Sequence, residues 1–295
     1  MIPLVSILIP VFNHSDYIDE CLDSILNLDY PNIELVLCDD GSKDDSYEKV
    51  KNWLHKNQSI RAKLFTQENQ GVCKTLNRLI KESSGVYISI CASDDFLIPK
   101  GIQQRVTALE NNPTKLAVIG DAKLIDQDSN IIAASAMKYL YKADYHHLRN
   151  DLVSELVFQW SVVGPTLLIK RDAYNQVGLY DENLVVEDRE FYLRLLKCDG
   201  LIFIPEIVSG YRIHTGNASR KSKSAKLVVL KEVATSNCKH FKYFHGFKRL
   251  FLASHKVDLF ILKGNEKYFL YEILFIYRVI RFVSFRFFRF FEFKK

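Results

Sequence analysis

The chain has 295 residues and 48% hydrophobic side chains, which is enough apolar material for one large domain or for a domain with an appendage. Its formal net charge is +5, and residues 276–295 alone carry +5, because six basic residues there face one acidic residue. The rest of the chain is nearly neutral, which argues against general nucleic-acid binding. The six cysteines contain no C-x-x-C pair, so we expect a reducing compartment rather than a disulfide framework. The first residues have no basic stretch or cleavage site, so we expect no signal peptide.

Strand-like and helix-like patterns alternate along residues 1–120. Short apolar runs predict five strands, at Val5–Ile9, Ile33–Cys38, Ala62–Thr66, Val86–Cys91 and Leu116–Gly120. Helical spacing of apolar residues predicts four helices, at Asp16–Leu28, Asp44–Lys56, Val72–Glu82 and Pro99–Asn111. This alternation indicates βαβ units and a mostly parallel sheet in an α/β fold. Because Pro10 has no N–H group, we expect the first strand to leave the sheet there.

The pattern is looser in residues 121–220. We predict strands at Thr166–Ile169 and Ile202–Ile204 and helices at Asp151–Gln159 and Asp188–Lys197. These elements should complete the sheet and build the acceptor side of a cleft. The following residues have a helical pattern with interleaved lysines and aromatics. We therefore divide the chain into a domain at 1–220 and a helical extension at 221–295.

Two acidic pairs follow predicted buried strands. Asp94-Asp95 ends the apolar run that begins at Val86, and Asp39-Asp40 ends the run that begins at Ile33. Open α/β sheets bind their ligands at the carboxyl ends of the strands. Mg²⁺ and Mn²⁺ take carboxylate oxygens together with substrate phosphates. The two pairs therefore predict a site for a hydroxylated or nucleotide-bearing ligand with a divalent metal.

Six motifs in a fixed order give the chain a family resemblance. They are Pro10-Val11-Phe12-Asn13, Asp39-Asp40-Gly41-Ser42, Gln70-Gly71-Val72 with Asn77, Ser93-Asp94-Asp95, Val177-Gly178-Leu179-Tyr180-Asp181-Glu182 with Glu187-Asp188, and Tyr211-Arg212-Ile213-His214. In this order they resemble the family 2 glycosyltransferases over residues 3–220. The resemblance implies the GT-A fold, in which helices flank a Rossmann-like, mostly parallel central sheet.

The resemblance also implies a site for a nucleotide-sugar donor, with a UDP-sugar favoured. Its candidate residues are Pro10, Phe12, Asn13, Asp39, Asp40, Lys74, Asn77 and Asp94. Pro10, Phe12 and the pair Asp39-Asp40 would line the nucleobase and ribose pocket, and Asp94 would contact the ribose or the donor sugar. Leu76 replaces an arginine that many relatives carry, and Lys74 is the candidate to supply that contact. The alternative for Asp39-Asp40 is a solvated turn followed by a helix N-cap.

A divalent metal, Mn²⁺ or Mg²⁺, is the implied cofactor. By the resemblance, Asp95 would ligate the metal that bridges the diphosphate, and His214 would be a second ligand. Many relatives carry a further aspartate at the position of Ala92, so this chain has only the last two acids of that motif. Arg212 is a candidate for a phosphate contact or for a structural salt bridge.

Asp188 is the candidate general base. It would take the proton from an acceptor hydroxyl, because a sugar hydroxyl is a poor nucleophile until that proton is removed. One base opposite the leaving group implies direct displacement with inversion, while a metal neutralises the departing diphosphate. The alternative is that Glu187 and Asp188 are only favourable charges at a helix N-terminus.

The tail combines seven phenylalanines in the twelve residues 282–293 with basic residues. Helical spacing places Arg278, Arg281, Arg286 and Arg289 on one face, opposite Ile280, Val283, Phe287, Phe290 and Phe291. This pattern favours an interfacial helix, over residues 273–295, at an anionic membrane surface. The alternative is a helix that packs on the catalytic domain or on another subunit, as in a homo-oligomer.

We therefore predict an inverting, metal-dependent glycosyltransferase that acts on a hydroxyl of a glycan or lipid-linked acceptor in cell-surface polysaccharide synthesis. By analogy, it would be cytoplasmic and peripheral to the inner face of a bacterial plasma membrane. A nucleotidyltransferase is one alternative, but the segment after the first strand has no glycine-rich phosphate loop with a lysine. The other is a non-catalytic nucleotide-sugar-binding or scaffold protein at the membrane.

Overall fold

The computed structural model describes residues 1–217, 223–263 and 268–292. Its strands are β1 (Val5–Val11), β2 (Ile33–Asp39), β3 (Ala62–Thr66), β4 (Tyr87–Ile90), β5 (Phe96–Leu97), β6 (Ala117–Ile125), β7 (Ile131–Ala133), β8 (Leu167–Lys170) and β9 (Leu201–Arg212). Its helices are α1 (Ile18–Leu26), α2 (Ser46–Lys56), α3 (Val72–Glu82), α4 (Gly101–Glu110), α5 (Ala136–Tyr141), α6 (Tyr145–Asn150), α7 (Leu152–Gln159), α8 (Ala173–Val177), α9 (Asp188–Lys197), α10 (Lys223–His240), α11 (Gly246–Lys263) and α12 (Tyr268–Glu292).

The strands form a single sheet in the order β3-β2-β1-β4-β8-β6-β9-β5, with β7 paired to β6. The first half, β3-β2-β1-β4, is parallel throughout. Strand β8 runs antiparallel to both β4 and β6, and β9 is again parallel to β6. The predicted α/β fold with a Rossmann-like sheet is confirmed, and residues after 120 complete the sheet as expected.

Apolar side chains fill both faces of the sheet. In β1, Ile7 and Ile9 pack on the side of α1, α2 and α4, whereas Leu8 packs on the side of α3. This alternation is the period of two that a strand imposes on its side chains. Both faces of the sheet are covered. A ligand can therefore reach the sheet at the carboxyl ends of its parallel strands.

Strand β1 does not leave the sheet at Pro10, so that prediction is wrong. Pro10 lies opposite Cys38, and Val11 lies opposite Asp39, in the parallel pairing with β2. The backbone of Pro10 faces the β4 side, but the pairing of β1 with β4 ends at Leu8. The missing N–H group therefore leaves no ladder hydrogen bond unmade.

The C-terminal helices pack on the preceding part of the chain. In α12, Leu274 is buried, and the ring of Phe285 stacks on Phe158 of α7. Arg281, also in α12, is buried and pairs with buried Asp258 of α11 through two hydrogen bonds of 2.9 and 2.8 Å. The prediction that Arg281 lies on a membrane-facing basic surface is therefore wrong. The side chains of Arg286 and Arg289, and of Phe287, Phe290 and Phe291, lie outside the described residues.

The opposite face of α12 is apolar and exposed. It presents Phe275, Ile276, Val279, Ile280 and Val283, each at least 45% exposed. Across the three described ranges, none of the helices combines the length and the apolar character needed to cross a membrane.

Candidate active site

Asp39 lies at the end of β2, and one of its carboxylate oxygens accepts no hydrogen bond from the described residues. Its Oδ2 accepts hydrogen bonds from the N–H groups of Gly41 and Ser42, at 3.2 and 3.1 Å. Its Oδ1 is buried, and no partner for it exists within the described parts of the chain. A buried acceptor without a partner is costly unless a ligand or water supplies the donor. Asp39 is therefore positioned to accept a hydrogen bond from a bound ligand.

Both carboxylate oxygens of Asp40 accept hydrogen bonds from other residues of the protein. Its Oδ1 accepts from the side chain of Gln67 at 2.8 Å and from the N–H of Gln70 at 2.9 Å, and its Oδ2 accepts from Gly71 at 2.9 Å. These bonds hold the loop that enters α3. The geometry thus gives Asp40 a supporting position beside the predicted pocket rather than a free carboxylate in it.

The loop after β1 closes one side of the predicted nucleotide site. Phe12 is 41% exposed there, so its ring is available for stacking, and Pro10 is half-buried just before it. Asn13 adopts a left-handed backbone conformation with φ of 54°. Its Oδ1 accepts from the N–H of Lys43 at 2.7 Å, and its own N–H donates to Ser42 at 3.0 Å. Asn13 therefore ties the loops after β1 and β2 together.

Asp94 lies between two histidines. His214 Nε2 is 3.0 Å from Asp94 Oδ2, and His14 Nδ1 is 3.7 Å from Asp94 Oδ1. Ligand atoms of the three side chains all lie within 4.8 Å of one another. His14 also bonds to Ser93 at 2.8 Å, and Asn217 donates to Asp94 Oδ2 at 3.3 Å. The end of β4, the loop after β1 and the segment after β9 thus converge on one carboxylate.

The charge state of this group follows from its contacts. Burial opposes ionisation of Asp94, but the hydrogen bond from His214 and the nearby His14 outweigh burial, and the pKa of Asp94 is lowered. Burial lowers the pKa of His14, although the Asp94 charge partly opposes this. An ionised Asp94 and a neutral His14 are in the protonation states that a metal requires of such ligands.

The residues fit a divalent metal. Two ligand atoms that each lie about 2.1 Å from an ion, at right angles, are about 3.0 Å apart. This is the separation of His214 Nε2 and Asp94 Oδ2, at 3.0 Å. His14, Asp94 and His214 could therefore hold an ion that replaces the hydrogen bond between His214 and Asp94, and open coordination positions would remain for a ligand.

Asp95 lies next to Asp94 but is not one of the three residues of this cluster. Its Oδ1 accepts from the N–H of Arg212 at 2.8 Å, and burial together with the Asp94 charge raises its pKa well above the usual range. A Cβ at Gly164 would lie 3.1 Å from Asp95 Oδ2 and 2.7 Å from the ring of Tyr211, so only glycine fits there. The cluster contains Asp94, not Asp95, so the geometry does not favour the predicted assignment of Asp95 to the metal.

Arg212 is a structural cation. Its buried guanidinium donates to the carbonyl of Asp94 at 2.8 Å and pairs with Glu20 at 2.5 Å. It also lies 5.0 Å from the ring centre of Tyr17. Of the two predicted roles, the structure supports the salt bridge.

Asn77 and Lys74 lie on α3. Asn77 is buried, its amide donates to Tyr180 and Glu182 at 2.9 Å, and its oxygen accepts from the N–H of Tyr180 at 2.9 Å. The geometry therefore indicates that Asn77 holds the segment Tyr180–Glu182 in place, rather than making the donor contact predicted for it. Lys74 is exposed on the first turn of the helix, and its contact with a donor stays a prediction.

Asp188 begins α9, as predicted. Its Oδ1 accepts from the N–H of Arg189 at 2.5 Å. Burial raises the pKa of Asp188, and burial together with the Asp188 charge raises the pKa of Glu187 to about 7. A raised pKa makes a carboxylate a stronger base than an ordinary aspartate, which is the property a general base needs.

Two participants were missed by the sequence reasoning. His14 directly follows the predicted donor motif at Asn13, but a single histidine in a loop has no spacing that marks it as a ligand. Asn217 comes three residues after His214, accepts its N–H at 2.6 Å and reaches Asp94. Only the folded geometry shows that both belong to the cluster.

The chain is similar in sequence to known glycosyltransferases. Residues 6–164 match the protein family described as "Glycosyl transferase family 2". An uncharacterised glycosyltransferase of Rickettsia typhi is 32% identical over 216 residues, which is 72% of this chain and 64% of the relative. Chondroitin synthase of Escherichia coli is 29% identical over 211 residues, which is 63% of this chain but only 30% of the synthase. The chain thus spans less than two thirds of either relative.

Solved structures share the fold at low sequence identity. Staphylococcus aureus TarS 1–349, in complex with UDP-GlcNAc, has a TM-score of 0.63 at 16% identity, covering 89% of this chain and 73% of that chain. The mannosyltransferase PcManGT of Pyrobaculum calidifontis, in complex with GDP-Man and Mn²⁺, has a TM-score of 0.65 at 16% identity, covering 95% and 81%. The fold is that of the GT-A glycosyltransferases. The chain belongs to glycosyltransferase family 2.

Proposed function

We propose that this protein is an inverting, metal-dependent transferase that moves a sugar from a nucleotide sugar to a hydroxyl group. The observation that carries the proposal is the joint position of two features at one edge of the sheet. One is the unpartnered Oδ1 of Asp39 at the end of β2, and the other is the cluster of Asp94 with His14 and His214. A carboxylate acceptor suits a nucleobase N–H or a ribose hydroxyl, and the cluster suits a diphosphate-bound metal.

The donor would bind with its nucleobase at the ends of β1 and β2. Phe12 would stack on the base, and Asp39 would accept a hydrogen bond from a base N–H. The complexes of TarS with UDP-GlcNAc and of PcManGT with GDP-Man are with different nucleotides. We favour a UDP-sugar because the N3–H of uracil needs one acceptor, and Asp39 offers one free oxygen.

His14, Asp94 and His214 would hold the metal. A bound divalent ion would act as a Lewis acid that neutralises the charge of the departing diphosphate. Two imidazoles with one carboxylate suit Mn²⁺ better than Mg²⁺, which prefers oxygen ligands. Calorimetric titration with each ion in the presence of UDP tests this preference, and equal affinities would contradict it.

Asp188 would act as the general base. Its raised pKa lets it take the proton of the acceptor hydroxyl as that oxygen attacks the anomeric carbon. A single displacement of this kind inverts the configuration of the sugar. The product's anomeric configuration, measured by NMR, tests that step directly.

The first experiment is a thermal-shift screen of UDP-, GDP- and dTDP-sugars with Mn²⁺. The sugar nucleotide that gives the largest shift, the panel donor, is then used in a hydrolysis assay. Asp188→Asn should keep the affinity for UDP and lose turnover by roughly 10²-fold or more. If the wild-type protein neither binds nor hydrolyses any panel member, a scaffold function replaces the transferase.

We also propose that the protein is peripheral to an anionic membrane, where a glycan or lipid-linked acceptor is reached. The exposed apolar face of α12, with Arg278 exposed beside it, supports this proposal. Ile280→Asp with Val283→Asp should abolish co-flotation with phosphatidylglycerol vesicles and leave hydrolysis of the panel donor unchanged. If the wild-type protein does not float with these vesicles, the face is instead a contact with another subunit or domain.

A further inference from the structure

Helix α10 contacts the chain just before the pair Glu187-Asp188. The carboxylate of Glu232 accepts hydrogen bonds from the N–H groups of Val185 and Val186, at 2.9 and 3.0 Å. These two residues lead directly into the first turn of α9. Hydrogen bonds with a charged acceptor are roughly twice as strong as neutral ones, so this contact fixes the backbone firmly.

The same helix contacts the chain just after this pair. Asn237 is buried, and its Oδ1 accepts from Arg189 Nε at 2.9 Å. The guanidinium of Arg189 also donates to the carbonyls of Leu156 and Val157, at 2.6 and 3.1 Å. The N–H of Arg189 in turn donates to Asp188 Oδ1 at 2.5 Å. A shift of Arg189 would therefore move the carboxylate of Asp188.

The segment of residues 184–186 needs this support because its middle residue is exposed to solvent. Val185 is 65% exposed, so apolar packing does not fix it. On the catalytic-domain side, the Sγ of Cys73 donates to the carbonyl of Leu184 at 3.2 Å, which is a weak bond. The strong contacts of Val185 and Val186 therefore come from α10, which lies outside the predicted domain of residues 1–220, whereas Arg189 is held by both α10 and α7.

We propose that Glu232 and Asn237 are positioning residues for Asp188, so that the helical extension sets the geometry of the catalytic base. The proposal rests on the proposed function, in which Asp188 removes the acceptor proton. Neither residue needs to touch substrate. Their effect is to hold the backbone on both sides of Asp188 within the tolerance that proton transfer requires, and a displacement of about 1 Å can cost 10²-fold in rate.

The test compares turnover with donor binding in three variants. In Glu232→Ala, turnover of the panel donor should fall by about 10- to 100-fold, while the KM for the donor and the affinity for UDP with Mn²⁺ stay within about twofold. Those affinities depend on residues at the ends of β1, β2 and β4, which Glu232 does not contact. Glu232→Gln keeps the shape and one acceptor oxygen, so its turnover should lie between those of Glu232→Ala and wild type. Lys231→Ala, an exposed neighbour on the same helix, is the control and should match wild type.

The outcomes separate this proposal from the proposed function. If Asp188→Asn abolishes turnover but both Glu232 variants turn over like wild type, the positioning role is overturned and the base assignment stands. If Glu232→Ala loses UDP affinity and turnover together, Glu232 acts on general stability, and the proposal also falls. If Asp188→Asn has no effect, the base assignment itself is wrong. Thermal unfolding of each variant is measured alongside, and Glu232→Gln decides the matter if the alanine variant does not fold.

Discussion

Replacing Arg281 by methionine should destabilise the protein by about 3–5 kcal/mol, the usual result of removing one partner from a buried ion pair. Arg281 and Asp258 are 6% and 4% exposed, and two hydrogen bonds of 2.9 and 2.8 Å join them. Without the guanidinium, the Asp258 carboxylate would stay buried without its ion-pair partner. For a chain of this size, about 2 °C of melting temperature corresponds to each kcal/mol, so we expect a drop of about 6–10 °C.

Two further variants make the measurement specific. Arg278→Met removes an exposed arginine one turn earlier and should cost under about 1 kcal/mol. The double variant Asp258→Leu with Arg281→Met replaces the pair by apolar side chains and should recover most of the loss, because a well-packed apolar pair is often as stable as a buried ion pair. Differential scanning calorimetry measures all three. If Arg281→Met melts no lower than Arg278→Met, then α12 does not pack on α11 as described, and Arg281 is a surface residue after all.

Three further results are expected. Asp39→Asn should weaken UDP binding by about 10- to 100-fold, because a hydrogen bond with a charged acceptor contributes about 1.5–3 kcal/mol; calorimetry measures it, and unchanged affinity would remove Asp39 from the pocket. Turnover should fall as pH decreases through the raised pKa of Asp188, because only the ionised carboxylate accepts a proton; a pH–rate profile that is flat down to pH 4 would contradict this. Burial alone would raise the pKa of Glu190. The hydrogen bond from His240 and the charge of Arg194 outweigh burial and lower this pKa to about 2. The roughly 3 kcal/mol that this shift contributes should therefore be present above about pH 4.5 and be lost as pH falls towards 2, and Glu190→Gln should flatten that part of the stability curve.

The sequence predicted elements best where local pattern and tertiary packing agree. Helices α3 and α9 have the predicted bounds, because their apolar stripes are the faces that the sheet and neighbouring helices cover. Strands β6 and β9 are much longer than the predicted Leu116–Gly120 and Ile202–Ile204. Their later parts contain polar residues that look exposed in the sequence. Asp121, for example, is fully buried and accepts hydrogen bonds from Ser135 and Tyr145. No local sequence pattern predicts these contacts.

The candidate site shows the same limit. Paired carboxylates after buried strands predicted the end of the sheet where Asp39 and the Asp94 cluster lie, but not which oxygen of each pair is free. Both oxygens of Asp40 accept backbone N–H groups, whereas Oδ1 of Asp39 has no partner among the described residues and Asp94 lies in the cluster with His14 and His214. The burial of Arg281 depends on a partner 23 positions away in another helix. Such choices between neighbouring residues are made by long-range contacts, which a single sequence does not display.

The wide sequence separation within the cluster of His14, Asp94 and His214 has a consequence for the order of folding. Strands β1 to β4 pair among themselves within the first 90 residues, so the part of the site proposed to bind the nucleotide can form early as the chain emerges from a ribosome. Asp94 meets His214 across 120 positions, and β5 meets β9 across a similar span. Closing loops of that length costs chain entropy before any contact compensates it. A nascent chain should therefore have the proposed nucleobase pocket well before the proposed metal site, so any metal that binds there can stabilise only the nearly finished fold and cannot guide its first half.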